Sequence, residues 1–181
     1  MRIVSGKYKG RRINPPKNLP VRPTTDMSKE SLFNILNNHY DFDQIAVLDL
    51  FAGTGNLSYE FGSRGSKDIT AVDEDAGCIR FIRQTAQEFD FPISATRINA
   101  YSFLEKDGRE YDVIVADPPY HFEIEKLLRI PDLVFEKKLL SPDGMLIIEH
   151  SKHASMDHHP NFSFRKNYGG SVFSFFEWPQ E

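Results

Sequence analysis

The sequence predicts an α/β fold: a mostly parallel sheet with helices on both faces, ended by a C-terminal antiparallel hairpin and preceded by a short basic N-terminal extension. Three observations carry this reading. Apolar runs of strand length alternate with helical stretches between residues 45 and 149, which implies a parallel sheet covered on both sides. A Gly-x-Gly loop follows the first run. Two phenylalanine-rich segments, 162–166 and 171–177, flank Tyr168-Gly169-Gly170 and read as a hairpin.

The elements follow in order. Residues 1–23 read as short extended pieces, because Ser5-Gly6-Lys7 signals a turn and Pro15, Pro16, Pro20 and Pro23 break any helix. A helix is expected from Asp26, capped by that carboxylate, with Met27, Leu32, Ile35 and Leu36 toward the core. Strands are expected at 45–51, 69–73, 93–99, 112–117 and 145–149. Between them, Asn56 opens a helix to about Ser63, and Ile79, Ile82, Ala86 and Phe89 form one apolar helical stripe. A short helix spans 101–106. Residues 122–140 read as two helical pieces around Pro131, and Ser141-Pro142-Asp143-Gly144 as a turn. No linker divides the chain, so residues 1–25 are read as an extension of one domain covering 26–181.

The 181 residues are 40% hydrophobic and 27% charged, which excludes a disordered or low-complexity chain. No apolar run reaches the roughly 18 residues of a membrane span, and the basic N-terminus lacks the apolar core of a signal peptide. Cys78 is the only cysteine, so no internal disulfide forms and a cytoplasmic setting is expected. The net charge of −4 argues against a nucleic-acid partner, but its distribution argues the other way. Residues 1–22 hold seven cations (Arg2, Lys7, Lys9, Arg11, Arg12, Lys17, Arg22) and no acid, whereas the remainder holds 15 basic and 26 acidic residues. A basic arm on an acidic body suits phosphate contact; a solvated hairpin with no partner is the plain alternative.

Two motifs carry chemistry. In Leu48-Asp49-Leu50-Phe51-Ala52-Gly53-Thr54-Gly55-Asn56 the glycine pair allows close backbone approach and leaves helix N–H groups facing a ligand. Asp73 ends the second strand, where an acid can accept ribose hydroxyls. Ser58 stands where a dinucleotide fingerprint needs its third glycine. Asp49 would repel a pyrophosphate and attract the cationic amine of a methionine moiety. Together these points favour S-adenosylmethionine. Asn99 and Ala100, ending the third strand, lie where a side-chain oxygen can accept from adenine, or where Asn99 simply caps the next helix.

The second motif is Asp117-Pro118-Pro119-Tyr120, ending the fourth strand. An exocyclic base amine is a poor nucleophile because its lone pair is delocalised into the ring. A carboxylate and a backbone carbonyl accepting its two hydrogens favour a pyramidal nitrogen. The prolines hold that carbonyl in a stiff turn, and the aromatic offers a flipped base a stacking face.

In these pieces the sequence resembles the RsmD family, bacterial enzymes that methylate guanine N2 in small-subunit ribosomal RNA. The resemblance runs through MRIVSGKYKGRRI, RPTTDMSKESLFNIL, LDLFAGTGNLS, DPPY, LIIEHSK and RKNYGG, and so covers essentially the whole chain. It implies a Rossmann-like methyltransferase fold, S-adenosylmethionine as methyl donor, and 16S ribosomal RNA in the small subunit or its assembly intermediate as substrate. Candidate cofactor contacts are Asp49, Phe51, Ala52, Gly53 and Gly55, with Asp73, Glu74, Asn99 and Ala100. Asn99 replaces a more usual Asp, so the adenine acceptor survives without its charge. Asp117, Pro118, Pro119 and Tyr120 match the catalytic tetrapeptide. Lys7, Lys9, Arg11 and Arg12 are candidate phosphate contacts near the target, and Arg22, Thr24 and Thr25 belong to a signature near the active-site mouth.

The alternatives are an adenine N6 methyltransferase on DNA or RNA, a protein-glutamine methyltransferase (which would use Asn in place of Asp117), and a non-catalytic RNA-binding module. A monomer without membrane contact is expected. His150, His153, His158 and His159 lack a regular metal-ligand pattern and read as a polar loop. Glu149-His150 either lines the pocket or ends a strand, and Cys78 reads as a small buried helix residue.

Overall fold

The computed structural model describes residues 1–21 and 24–181; Arg22, one of the expected substrate contacts, lies outside the described residues. Seven strands form one sheet in the order β3-β2-β1-β4-β5-β7-β6. The first five, β1 (Ala46–Leu50), β2 (Asp68–Asp73), β3 (Ile93–Arg97), β4 (Tyr111–Ala116) and β5 (Leu140–Ser151), run parallel. The hairpin β6 (Phe162–Tyr168) and β7 (Ser171–Phe176) joins antiparallel to β5 through β7. The chain leaves β1 toward β2 and leaves β4 toward β5, so a crevice opens between the carboxyl ends of β1 and β4, where sheets of this kind bind ligands.

Helices α1 (Asp26–Asn37), α2 (Asn56–Ser63) and α3 (Ala76–Phe89) serve one face, and α4 (Ala100–Lys106) and α5 (Ile124–Glu136) the other. Odd and even strand positions feed different cores: Val47, Val113, Val115 and Ile147 pack with α1 and α2, whereas Leu48, Ile114, Leu146 and Ile148 pack with α4 and α5. Each such fully buried aliphatic side chain contributes about 1.5–3 kcal/mol. The expected α3 stripe is buried, and Cys78 with it. Among the described residues no helix is long and apolar enough to cross a membrane.

The N-terminal extension packs on the domain as part of it. Met1–Ile3 pairs antiparallel with Arg11–Ile13 through Ile3 N–H to Arg11 O, Gly10 N–H to Ile3 O and Ile13 N–H to Met1 O. Ile3 and Ile13 are buried against Tyr59, Ile79, Ile82 and Phe89.

Several expectations need correction. Thr25, not Asp26, caps α1: its side chain accepts from Ser28 N–H, and Asp26 is the first helical residue, paired with Arg2. That phase buries Ser28, Lys29, Leu32, Phe33 and Leu36 and turns Met27 outward, 73% exposed. β3 stops at Arg97, so Asn99 belongs to the following helix rather than to the strand. α5 runs unbroken through Pro131, because Leu127, Ile130, Leu133 and Val134 keep one buried face on both sides of the proline; packing outweighs the lost hydrogen bond. Ser141–Gly144 is a bulge within β5, between the pairs Leu140–Tyr111 and Met145–Val113, held by Ser141 Oγ donating to Asp112. His150 is no loop residue. It lies buried in β5, with Nε2 2.7 Å from Ser174 Oγ and Nδ1 2.9 Å from Ser151 O. His159 packs its ring toward Phe176 and bonds Asp132.

Candidate active site

At the end of β1, Asp49 is 2% exposed, and its Oδ2 accepts a 2.7 Å bond from Ser58 Oγ, the residue that displaced the third glycine of a dinucleotide motif. Burial pushes the Asp49 carboxyl up to about 7; the nearby charge of Asp73 adds to this, and the Ser58 bond opposes it. The backbone then turns sharply. Phe51, Gly53 and Gly55 have φ of 56°, 56° and 92°, and a non-glycine side chain in that region costs on the order of 1 kcal/mol or more. Gly55 is the N-cap of α2 and supplies no side-chain cap; the Ser58 N–H turns to the Asp49 carboxylate, which leaves the N–H groups of Asn56 and Leu57 as the ones at the amino end of the helix that can meet a ligand.

Asp73, ending β2, ties two loops together. Its Oδ2 accepts from Gly53 N–H and its Oδ1 from Asp75 N–H, both at 2.9 Å. Glu74 accepts from Asn99 Nδ2 at 3.2 Å. Asn99 is indeed a cap: its Oδ1 accepts from Tyr101 and Ser102 N–H, so any adenine contact shares that oxygen with the start of α4. Ala100 lies beside it, buried.

β4 ends where Pro118 can no longer donate to a ladder, and Asp117 is left at the crevice. Pro118 is buried, Pro119 O accepts from Phe122 N–H, and Tyr120 is 42% exposed. Among the described residues, Met27 is the only other large hydrophobic so exposed. Phe122 joins the two motifs, edge-on to Phe51 at 5.8 Å, with Lys126 Nζ 3.8 Å above its ring.

One cleft of about 1260 Å³ brings these residues together. Asp49, Phe51, Ala52, Gly53, Asp73, Glu74, Asn99, Ala100 and the whole Asp117–Tyr120 tetrapeptide line it, as does Thr24. Gly55 shapes the loop behind this wall, and Thr25 is spent on the helix cap. Beside the tetrapeptide, a smaller cavity of about 250 Å³ reaches His150 and His153.

The N-terminal cations are not all at the mouth. Lys7 N–H bonds Ser63 O at the far end of α2, Tyr8 Oη bonds Phe89 O at the far end of α3, and Arg11 lies 4.9 Å over the Phe89 ring. α3 has 14 residues and so spans about 20 Å, which puts Lys7, Lys9 and Arg11 at the opposite end of the molecule from the cleft. Arg12 lies back along the hairpin, across from Arg2. The return limb then climbs to the site, and Lys17, Leu19 and Val21 line it. Leu19 sits over Gly77 and Val21 over Gly53, where added Cβ atoms would come within 2.7 and 3.1 Å. The cations at the mouth are Lys17, Arg97 and Lys126 among the described residues. Sequence reasoning missed Arg97, Phe122 and Lys126. Arg97 and Lys126 are single charges in elements read for their apolar faces.

A buried carboxyl with a pKa near 7 makes binding of a cationic group pH-dependent. The cation favours the ionised form, so binding at pH 6 should release a proton, and affinity should rise between about pH 6 and 8. Because the folded pKa lies above the ordinary Asp value of about 4, the carboxyl's own contribution to stability is complete below that value and lost as pH rises through about 7. Calorimetry in buffers of different ionisation enthalpy checks the proton release; identical heats at pH 6 would remove Asp49 from the cation site.

The parallel sheet, the glycine loop at its switch point and an acid ending the second strand define a Rossmann-like methyltransferase fold. The family model described as Conserved hypothetical protein 95 matches residues 1–177, and the chain belongs to that family, the RsmD family. YlbH of Bacillus subtilis is 32% identical over 161 residues, covering 86% of this chain and 85% of that one. "Ribosomal RNA small subunit methyltransferase D" of Buchnera aphidicola is 32% identical over 157 residues, 85% of this chain and 80% of that one. Among solved structures, a hypothetical protein of Thermus thermophilus superposes with a TM-score of 0.85 at 22% identity, over 98% of this chain and 99% of that one. The Thermus thermophilus 16S rRNA N2 G1207 methyltransferase, in complex with AdoMet and guanosine, shares the fold with a TM-score of 0.68 at 16% identity, over 88% of this chain and 45% of that one.

Proposed function

We propose that this protein transfers the methyl group of S-adenosylmethionine to the exocyclic N2 amine of a guanine in 16S ribosomal RNA, within the small subunit or an assembly intermediate. Methylation of ribosomal RNA accords with the named relatives, and the single observation that carries the finer reading is Asp117–Tyr120 lining the same cleft as Asp49, Gly53 and Asp73. When bound, S-adenosylmethionine supplies an electrophilic methyl on a sulfonium sulfur, which departs as the thioether of S-adenosylhomocysteine.

The residues present fit that cofactor. Asp49 would hold its cationic methionine end, the N–H groups of Asn56 and Leu57 at the start of α2 would meet its carboxylate, and Asp73 would accept from the ribose. Asp117 and the Pro118 carbonyl accept the two hydrogens of the base amine and direct its lone pair. Tyr120 stacks on the extruded base. The amine nitrogen bonds to the methyl carbon as the carbon–sulfur bond breaks, and the excess proton passes to water or transiently to Asp117. The chain's contribution is mainly position and electrostatics.

Lys17 and Lys126 hold the phosphates nearest the reacting base, Thr24 helps shape the mouth, and Lys7, Lys9, Arg11 and Arg12 meet RNA farther along the extension. Replacing Lys17 and Lys126 together by Gln should raise KM for small subunits and flatten its salt dependence, by a slope of about 0.7 for each phosphate no longer neutralised on single-stranded RNA. Turnover at saturating RNA should change far less. An unchanged salt slope would move the RNA path away from this mouth, and equal transfer to duplex DNA would favour the adenine-type alternative.

A further inference from the structure

The described structure buries one ammonium, that of Lys29 in α1, with a side chain 1% exposed. All three of its N–H groups find acceptors: Arg2 O at 2.5 Å, Asn56 Oδ1 at 2.8 Å and Glu60 Oε1 at 3.3 Å. Glu60 in α2 is fully buried as well. It also receives Val4 N–H at 2.8 Å, Ser5 N–H at 3.0 Å and Arg64 Nε at 2.8 Å.

A buried pair of this kind is a poor source of stability, because desolvation offsets most of its attraction and a well-packed apolar pair often does as well. Its placement is more informative. Asn56 is the first residue of α2, follows the glycine loop directly and lines the cleft; its Nδ2 donates to Thr24 O at 3.4 Å. Met1, next to Arg2, also lines the cleft. Two segments therefore meet at one ammonium, the first strand of the N-terminal hairpin through Arg2 O and α2 through Asn56 and Glu60, and the Thr24 approach to α1 joins them through Asn56.

We propose that Lys29 is a positioning residue for the cofactor site. It holds Asn56, and through it Thr24, and holds the N-terminal hairpin directly at Arg2 O, so that the amino end of α2 and the opposite wall are aligned before the cofactor arrives. This inference rests on the reading of the cleft as the S-adenosylmethionine site.

Lys29→Met removes the ammonium while Glu60 keeps Arg64, Val4 and Ser5, so the variant retains no unpaired buried charge. The affinity for S-adenosylhomocysteine, measured by calorimetry, is expected to fall about tenfold, the scale of one hydrogen bond to a charged group, with kcat at saturating cofactor within threefold of wild type. Lys29→Arg, which keeps the charge and the donors, is expected to recover most of that affinity. A role in stability alone gives another pattern: a lowered Tm with unchanged affinity in folded Lys29→Met, and that result overturns the proposal. If Lys29→Met does not fold, Lys29→Met with Glu60→Gln carries the test, and wild-type affinity in that double variant likewise overturns it. A wild-type chain that binds no S-adenosylhomocysteine overturns the cofactor reading instead, a result visible before any variant is made.

Discussion

Asp117→Ala is expected to lose turnover by about two to three orders of magnitude, the usual cost of removing one preorganised electrostatic contact at a reacting centre, while binding S-adenosylhomocysteine as the wild type does. The separation follows from the architecture. Asp117 directly follows β4, which ends at Ala116 and not at Asp117 as its sequence suggests, and Pro118 prevents the ladder from continuing, so the end of a central strand sets where the carboxylate stands. The groups proposed to face the cofactor come from other elements, the ends of β1 and β2 and the start of α2. Removing Asp117 should therefore leave that floor intact and take away the acceptor proposed to orient the amine. Tyr120→Ala should weaken RNA placement by about 1–3 kcal/mol if base stacking is lost. Single-turnover rates beside calorimetric affinities check both; near-normal rates in both variants would place the chemistry elsewhere.

Asp73→Ala should act on the other half of the cleft. Its carboxylate accepts from Gly53 and Asp75 N–H at once, so it fixes the glycine loop against the β2–α3 turn and also offers lone pairs to a ribose. Losing a charge-assisted hydrogen bond to the cofactor costs about 1.5–3 kcal/mol, and the loosened Gly53 loop adds to that. Affinity for S-adenosylhomocysteine should fall accordingly, with the far-UV circular dichroism spectrum retained. A folded variant of unchanged affinity would reduce Asp73 to a loop staple.

The sheet was legible because its strands are short apolar runs separated by strongly periodic helices: Ile79, Ile82, Ala86 and Phe89 land on the buried face of α3 as their spacing predicts. The two motifs were legible because glycine and proline act locally. Gly53 and Gly55 allow a backbone that other residues resist, and Pro118 ends β4 without help from tertiary contacts. What escaped depends on packing between distant segments. Pro131 reads as a helix break, yet the apolar face on both sides of it continues α5. The extension reads as a basic arm, but Ile3 and Ile13 are core residues, and the turn between them carries Lys7 and Lys9 away from the site. Gly77 held a faint signal of this path: a glycine inside the first turn of a helix marks a close approach, here by Leu19. Lys126 and Arg97 gave no signal, because a lone surface cation has the same appearance in sequence whether or not it faces a cleft.

The central claim is the identity of the atom that receives the methyl group. Enzyme carrying methyl-labelled S-adenosylmethionine is mixed with small subunits that lack the modification, and the 16S RNA is then digested to nucleosides. Label recovered in N2-methylguanosine, at one position and in an amount equal to the subunits, is the predicted result. Label in N6-methyladenosine, in protein, or in no acceptor at all would contradict the account.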